Sequence, residues 1–204
     1  MNDLRLTDLY VWLNEGMPDL GSDYRRDSIM EGIGLALLSA IGEDVNREGL
    51  IQTPHRWAKW WLEFMQYDPG NTDTTFEAIE TDQMVVVKGI KVWSLCEHHL
   101  LPFWCNLSIG YICKDKVLGL SKFARIANKH AHRLQIQEGL VRDIAQEVTH
   151  LAQTEDVAVL GYGEHLCMQM RGIRSEGALI TSYMGGCFRA DQAVRAEFLS
   201  LVNK

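Results

Sequence analysis

Phe103-Trp104-Cys105-Asn106-Leu107-Ser108-Ile109-Gly110-Tyr111-Ile112-Cys113 decides the fold class of this chain. Phe103, Cys105, Leu107, Ile109, Tyr111 and Cys113 recur every second residue, so a strand places all of them on one face. Cys105 and Cys113 read as small buried hydrophobes on that face, because free cysteine is commonly buried for packing alone. Before it, residues 84–93 are rich in valine and isoleucine and predict a second strand. After it come two helices. The first begins near Ser121, with Phe123, Ile126 and Ala127 on one side and Lys122, Arg125 and Lys129 on another. The second spans 137–153, with Leu140, Ile144, Val148 and Leu151 as its apolar stripe. Strand character returns over 157–170. A strand over 179–189 is expected to pair with it, Gly172 and Gly177 bracketing the turn, and residues 191–202 close the chain as a helix. Strand, strand, helix, helix, strand, strand predicts an α+β domain over 76–204, an antiparallel sheet with helices on one face.

Upstream, residues 1–75 read as an N-terminal helical region. A helix over 28–41 carries Ile33, Leu37 and Ile41 every fourth residue, and Gly42 is its stop. Thr53-Pro54 reads as a threonine cap with proline at the first helical position. Trp57, Trp60, Trp61 and Phe64 then form a stripe expected to be core or subunit interface. Residues 68–75, with Pro69-Gly70 and Asn71, read as a loop.

Bulk properties narrow the function classes. The 204 residues carry a net charge of -7, which argues against a general nucleic-acid binder with its basic footprint. No apolar run reaches the ~20 residues a membrane span needs, and residues 1–10 lack a signal pattern. A cytoplasmic protein is the expectation. Five cysteines, an odd number without small-scaffold spacing, fit buried thiols or metal ligands better than disulfides.

Two segments carry candidate chemistry: Cys96-Glu97-His98-His99 and His165-Leu166-Cys167. Cys96 and His99 are spaced to converge from a turn, and His165 and Cys167 would share a strand face. Zinc takes sulfur and nitrogen ligands tetrahedrally, and catalytic sites keep three protein ligands and an open position. Cys96, His99 and Cys167 make one such set, leaving His98 and His165 to move protons. A structural zinc site, or histidines satisfied by hydrogen bonds alone, are the other readings of the same spacing. The soft ligand set favours zinc over magnesium or calcium, and iron(II) fits it too. A water on such an ion ionises near neutral pH, so the suggested chemistry is hydrolysis at an electrophilic carbon. Ser121-Lys122 at a helix start with Arg125 one turn on, Arg171 and Arg174 after Cys167, and Arg56 on the early helix are candidate anion contacts. Gln137-Glu138 either supplies a helix-start charge or accepts hydrogen bonds from a guanine edge.

These residues resemble the GTP cyclohydrolase I family. The resemblance rests on Arg47-Glu48-Gly49-Leu50, Thr53-Pro54-His55-Arg56 and the run from Ser94 to Phe103 through Cys96-Glu97-His98-His99. It continues in Gly119-Leu120-Ser121-Lys122-Phe123-Ala124-Arg125-Ile126 and Arg133-Leu134-Gln135-Ile136-Gln137-Glu138. It ends in Glu164-His165-Leu166-Cys167-Met168 and Met170-Arg171-Gly172. It implies a tunnelling fold assembled as a homodecamer of two pentameric rings, with active sites between subunits. It implies Zn2+ on Cys96, His99 and Cys167, and proton transfer by His98 and His165. It further implies guanine reading by Gln137 and Glu138, and ribose triphosphate contacts from Ser121, Lys122, Arg125, Arg171 and Arg56, with Leu120 in the same substrate-binding group. The implied reaction is hydrolysis of GTP at C8 with release of formate and rearrangement to 7,8-dihydroneopterin triphosphate, Ser121 helping the rearrangement.

The chain departs from the family pattern at Cys105-Asn106, Cys113, Tyr162 and Gly185-Gly186-Cys187, none of them a proposed ligand. Two other readings compete. One is a related tunnelling-fold metalloenzyme with a different product or with iron. The other is a nucleotide-binding or assembly protein with a structural zinc. The pair His98 and His165 favours an enzyme.

Overall fold

The structure, a computed structural model, describes residues 23–79 and 82–204, with backbone alone at 23–26. The N-terminal stretch read for a signal, and the start of the 1–75 region, lie outside the described residues. The chain divides into two compact units, the first ending at Gln66 and the second running Tyr67–Lys204.

The first unit pairs helix α1 (Asp23–Ala40) with α2 (Thr53–Met65). α1 ends near Gly42, whose φ of +85 is the left-handed turn that stops helices. The anticipated α1 stripe is not the buried one: Leu37 and Ile41 are 48% and 64% exposed, whereas Ile29 and Ala58 are buried. The helices meet at Gly34, where a Cβ would stand 3.2 Å from Pro54 and Trp57. That close seam covers only a narrow strip of each helix. Thr53 is not the cap. α2 already includes it, Gln52 takes the cap position without a side-chain bond, and Pro54 sits in the first turn, where a missing N–H costs nothing. The tryptophans pack edge to face, Trp57 to Trp61 at 5.9 Å and Trp60 to Trp61 at 5.0 Å.

The second unit is α+β, and its element order is the one expected of the tunnelling fold. Its strands are β1 (Thr75–Glu77), β2 (Met84–Cys96), β3 (Pro102–Ile112), β4 (Lys116–Leu118), β5 (Leu134–Gln135), β6 (Val157–His165) and β7 (Leu179–Met184). Its helices are α3 (Leu120–Ala131), α4 (Gln137–Ala152), α5 (Leu166–Gln169), α6 (Gly186–Ala190) and α7 (Gln192–Asn203). The main sheet has the order β5-β2-β3-β6-β7, antiparallel except for the short β5–β2 pair, and β1 pairs with β4 in a small ribbon. The alternating face of β3 is the core: Phe103, Cys105, Leu107, Ile109 and Tyr111 are all fully buried against Phe123, Ile126, Leu140 and Ile144. Burial pushes the Cys105 thiol up to about 12, as befits a packing residue. The opposite face is not wholly bare, since Phe198 of α7 and Phe188 of α6 cover Ile112 and Ala158 there.

Two strands are shorter than anticipated. β6 stops at His165 because its pairing with β3 ends at the register pair Phe103↔His165, and the chain coils into α5. β7 stops at Met184. The Asp156 carboxylate accepts the Cys187 N–H at 2.7 Å, and this bond starts α6 instead of extending the strand.

α3 and α4 are tied by a charged cluster. Lys129 Nζ donates to both oxygens of Glu147 at 2.9 and 2.8 Å, and His130 Nε2 lies 2.6 Å from Glu147 Oε2. Burial works to raise the Glu147 carboxyl, but the bonds from Lys129 and His130 outweigh it and hold it below the usual carboxylate range. A depressed folded-state pKa contributes stability above the unfolded value of about 4.3, and this is lost as pH falls through the folded value. Glu147→Gln is therefore expected to lower stability by about 1–2 kcal/mol at pH 7. The gap from wild type should close in strong acid, and urea midpoints at both pH values measure it.

Candidate metal centre

β2 delivers Cys96 at its C-terminal end, and the next residues turn sharply. Leu100 N–H donates to Cys96 O at 2.8 Å and Cys96 N–H to Leu101 O at 2.9 Å. Leu100 takes φ +55, a strained value for a non-glycine residue that clusters at functional turns. The turn folds the His99 ring over Cys96, with Nδ1 3.7 Å from Sγ. Cys167 arrives from the other side, its Sγ 3.9 Å from that of Cys96. It does so from the first turn of α5, not from a strand face shared with His165, so the alternation argument for that pair is corrected. The three donor atoms lie within 4.8 Å of one another. Tetrahedral zinc would hold two sulfurs about 3.8 Å apart and a sulfur–nitrogen pair about 3.6 Å apart. Donor set and spacing thus fit an ion with one position left open. Burial first, and then the adjoining Cys96 thiol, push the Cys167 thiol up, a penalty that a bound cation reverses.

Arg171 donates to His99 Nε2 at 2.6 Å. A neutral ring that gives its Nδ1 lone pair to a cation carries its proton on Nε2, so Arg171 and a cation on Nδ1 cannot share this ring.

His165 stands beside the cluster at the end of β6, its ring stacked on Phe103 at 4.4 Å with an interplanar angle of 7°. Burial lowers its pKa, opposed by the negative charge of Glu138, which lies exposed on the first turn of α4. His98 is exposed, with Nε2 3.8 Å from Glu97. Gln137 departs from expectation. It is fully buried, its Nε2 donating to Gly161 O at 3.2 Å, Leu179 O at 2.9 Å and Thr181 Oγ1 at 3.0 Å, and its Oε1 lying 3.0 Å from His165 Nε2. A side-chain amide so occupied has no donor left for a base edge. The slot exists because residue 163 is glycine: a Cβ there would strike Gln137 Oε1 and come within 2.8 Å of Trp104 O.

The anion candidates sit elsewhere. Lys122 Nζ donates to Asn71 O at 2.7 Å, and Arg125 to Pro69 O at 2.6 Å. Leu120 and Ser121 are exposed at the start of α3. This group lies at the Tyr111 end of β3, where the Tyr111 hydroxyl accepts the Leu118 N–H, while the thiol–imidazole cluster lies at the Phe103 end. At a strand's rise the two ends are roughly 26 Å apart. Arg171 alone of the candidate cations touches the cluster. Arg174 is exposed in the loop before β7, and Arg56 is exposed on α2 of the first unit. The sequence reading missed Phe103, Thr181, Gly161 and Gly163 as parts of the site. Phe103 carries a signal in retrospect, since it opens the buried face of β3 beside the Cys96 segment.

Fold and site define, first, an α+β protein whose sheet ends in a three-donor thiol–imidazole cluster beside a half-buried histidine. Comparison with known proteins carries this further, because the family model described as GTP cyclohydrolase I matches residues 31–203. The chain belongs to the GTP cyclohydrolase I family. A GTP cyclohydrolase 1 of Sulfurihydrogenibium is 47% identical over 180 residues, 87% of this chain and 95% of the relative. One from Pseudomonas syringae is 47% identical over 176 residues, 82% of this chain and 95% of the relative. The Drosophila melanogaster GTP cyclohydrolase 1 is 45% identical over 192 residues, 92% of this chain, and the chain spans 56% of that protein's length. Among the described residues, no helix is long and apolar enough to cross a membrane.

Gly163→Ala is expected to force the Gln137 amide from its slot and lower stability by about 1–3 kcal/mol, read as a lowered thermal midpoint.

Proposed function

We propose that this protein catalyses the GTP cyclohydrolase I reaction: hydrolysis of GTP at C8, release of formate and rearrangement to 7,8-dihydroneopterin triphosphate. The observation that carries it is the convergence of Cys96, His99 and Cys167 beside His165, in a chain of that family. Those three residues would hold zinc, which when bound activates water and polarises the atom under attack. The rest falls to the chain's own groups. His165 relays a proton to the imidazole nitrogen of the base, taking it up and giving it at the ring edge turned away from Gln137, as water adds at C8 and the C8–N9 bond breaks. His98 relays protons in the second hydrolysis, which frees formate. Two waters enter and one leaves when the rearranged ribose closes the new ring, a step assisted by Ser121. Glu138 accepts the paired N–H donors of the guanine edge. Lys122, Arg125, Arg171 and Arg56 grip the triphosphate, and Leu120 borders it.

The assembly is a homo-oligomer, a decamer of two pentamers, with each site built between subunits. Support comes from the opposite placement of the two halves: a nucleoside triphosphate cannot reach from one end of β3 to the other. The α3 cations of one copy therefore serve the thiol–imidazole cluster of another. A reducing cytoplasm suits a site that needs two free thiols.

Purified protein given GTP and zinc should release formate and a pterin that fluoresces after oxidation, and absence of formate with metal bound overturns the proposal. Cys96→Ala is expected to lose zinc and turnover, and His98→Ala to keep zinc while losing most turnover. Lys122→Ala and His165→Asn, each inactive alone, should regain roughly a quarter of wild-type activity when co-assembled in equal amounts, because a quarter of the shared sites then combine two intact halves. No recovery in mixed assemblies would place both halves in one chain.

A further inference from the structure

We propose that the Gln137 side chain is a positioning group that holds His165 in the tautomer protonated on Nε2, and that this side chain does not read the substrate base; the inference deepens the function proposed above and rests on it. The amide's orientation follows from its surroundings. Its nitrogen faces two main-chain carbonyls, Gly161 O and Leu179 O, and the Thr181 hydroxyl. Only a donor suits two carbonyls, so the NH2 group must lie there and Oε1 must face His165. An oxygen at 3.0 Å from His165 Nε2 demands a donor in return. The proton of the neutral ring therefore sits on Nε2, and Nδ1 keeps the lone pair.

Two constraints then act on one ring. Stacking on the buried Phe103 sets its plane, and the amide sets which edge carries the proton. The amide is itself rigid: it opens α4, is wholly buried, and is stitched across the β6–β7 ladder at the pairs Gly161↔Thr181 and Gly163↔Leu179. Orienting partners of this kind commonly change activity 10–100-fold when removed, through the group they hold.

The test uses the assembled, zinc-loaded protein and two variants. Gln137→Met removes both hydrogen-bonding roles, while Gln137→Glu keeps an acceptor for the His165 N–H but turns an acceptor toward the two carbonyls. Gln137→Met should lower kcat about 10–100-fold, with KM for GTP within about threefold and zinc content unchanged. Ring-15N-histidine NMR, with His165 assigned by its loss in His165→Asn, should show one tautomer in wild type and a mixture in Gln137→Met. Gln137→Glu should be the less stable variant yet keep the wild-type tautomer and the higher kcat. A merely structural role makes stability and kcat fall in the same order. A raised KM with unchanged kcat, or a wild-type tautomer in Gln137→Met, overturns the inference. Should wild type release no formate, the proposed function fails, and the ring-nitrogen spectra still decide the Gln137–His165 link.

Discussion

The last rung of the β3–β6 ladder, Phe103↔His165, is the constraint on which the site depends. Upstream of Phe103 the chain has just turned back from Cys96, and downstream of His165 it coils at once to present Cys167. One register pair thus brings together thiols 71 residues apart and stacks the histidine on the buried Phe103. A slip of one residue would turn the whole buried face of β3 outward, so the hydrophobic pattern that fixes the register also fixes how the three donor atoms converge. Core and chemistry share one determinant.

That sharing explains which features were legible in the sequence. The alternation from Phe103 to Cys113 and the ligand types of Cys96, His99 and Cys167 are local signals, and both survive in the structure. The ends of strands are not local. β6 stops where its partner runs out, and β7 stops because Asp156, far upstream, takes the Cys187 N–H. The α1 stripe misled for a related reason: Ile33, Leu37 and Ile41 have the right period, but the face of a helix that is covered is the one its partner can approach, here the seam where Pro54 and Trp57 close on α1's own Gly34. Gln137 is the clearest case. Its partners lie 24 to 44 residues away, so nothing near it in the chain distinguishes an amide that reads a ligand from one that braces a histidine.

A net charge of -7 poses a problem for a protein that binds a triphosphate, and the hydrogen-bond partners of the cations answer it. Lys114, Lys116, Lys129, Arg47 and Arg142 each pair with a carboxylate, which cancels their charge locally. Lys122 and Arg125 are held instead by Asn71 and by the Pro69 carbonyl. A neutral acceptor fixes a cation's position and leaves its field intact. Lys122 is also buried, which weakens solvent screening around it. An acidic chain can therefore carry a local positive field without excess basic residues where cations held by neutral acceptors stand together, as Lys122 and Arg125 do on α3. The net charge of the whole chain opposes the approach of large polyanions, while the field of these two cations acts only at short range.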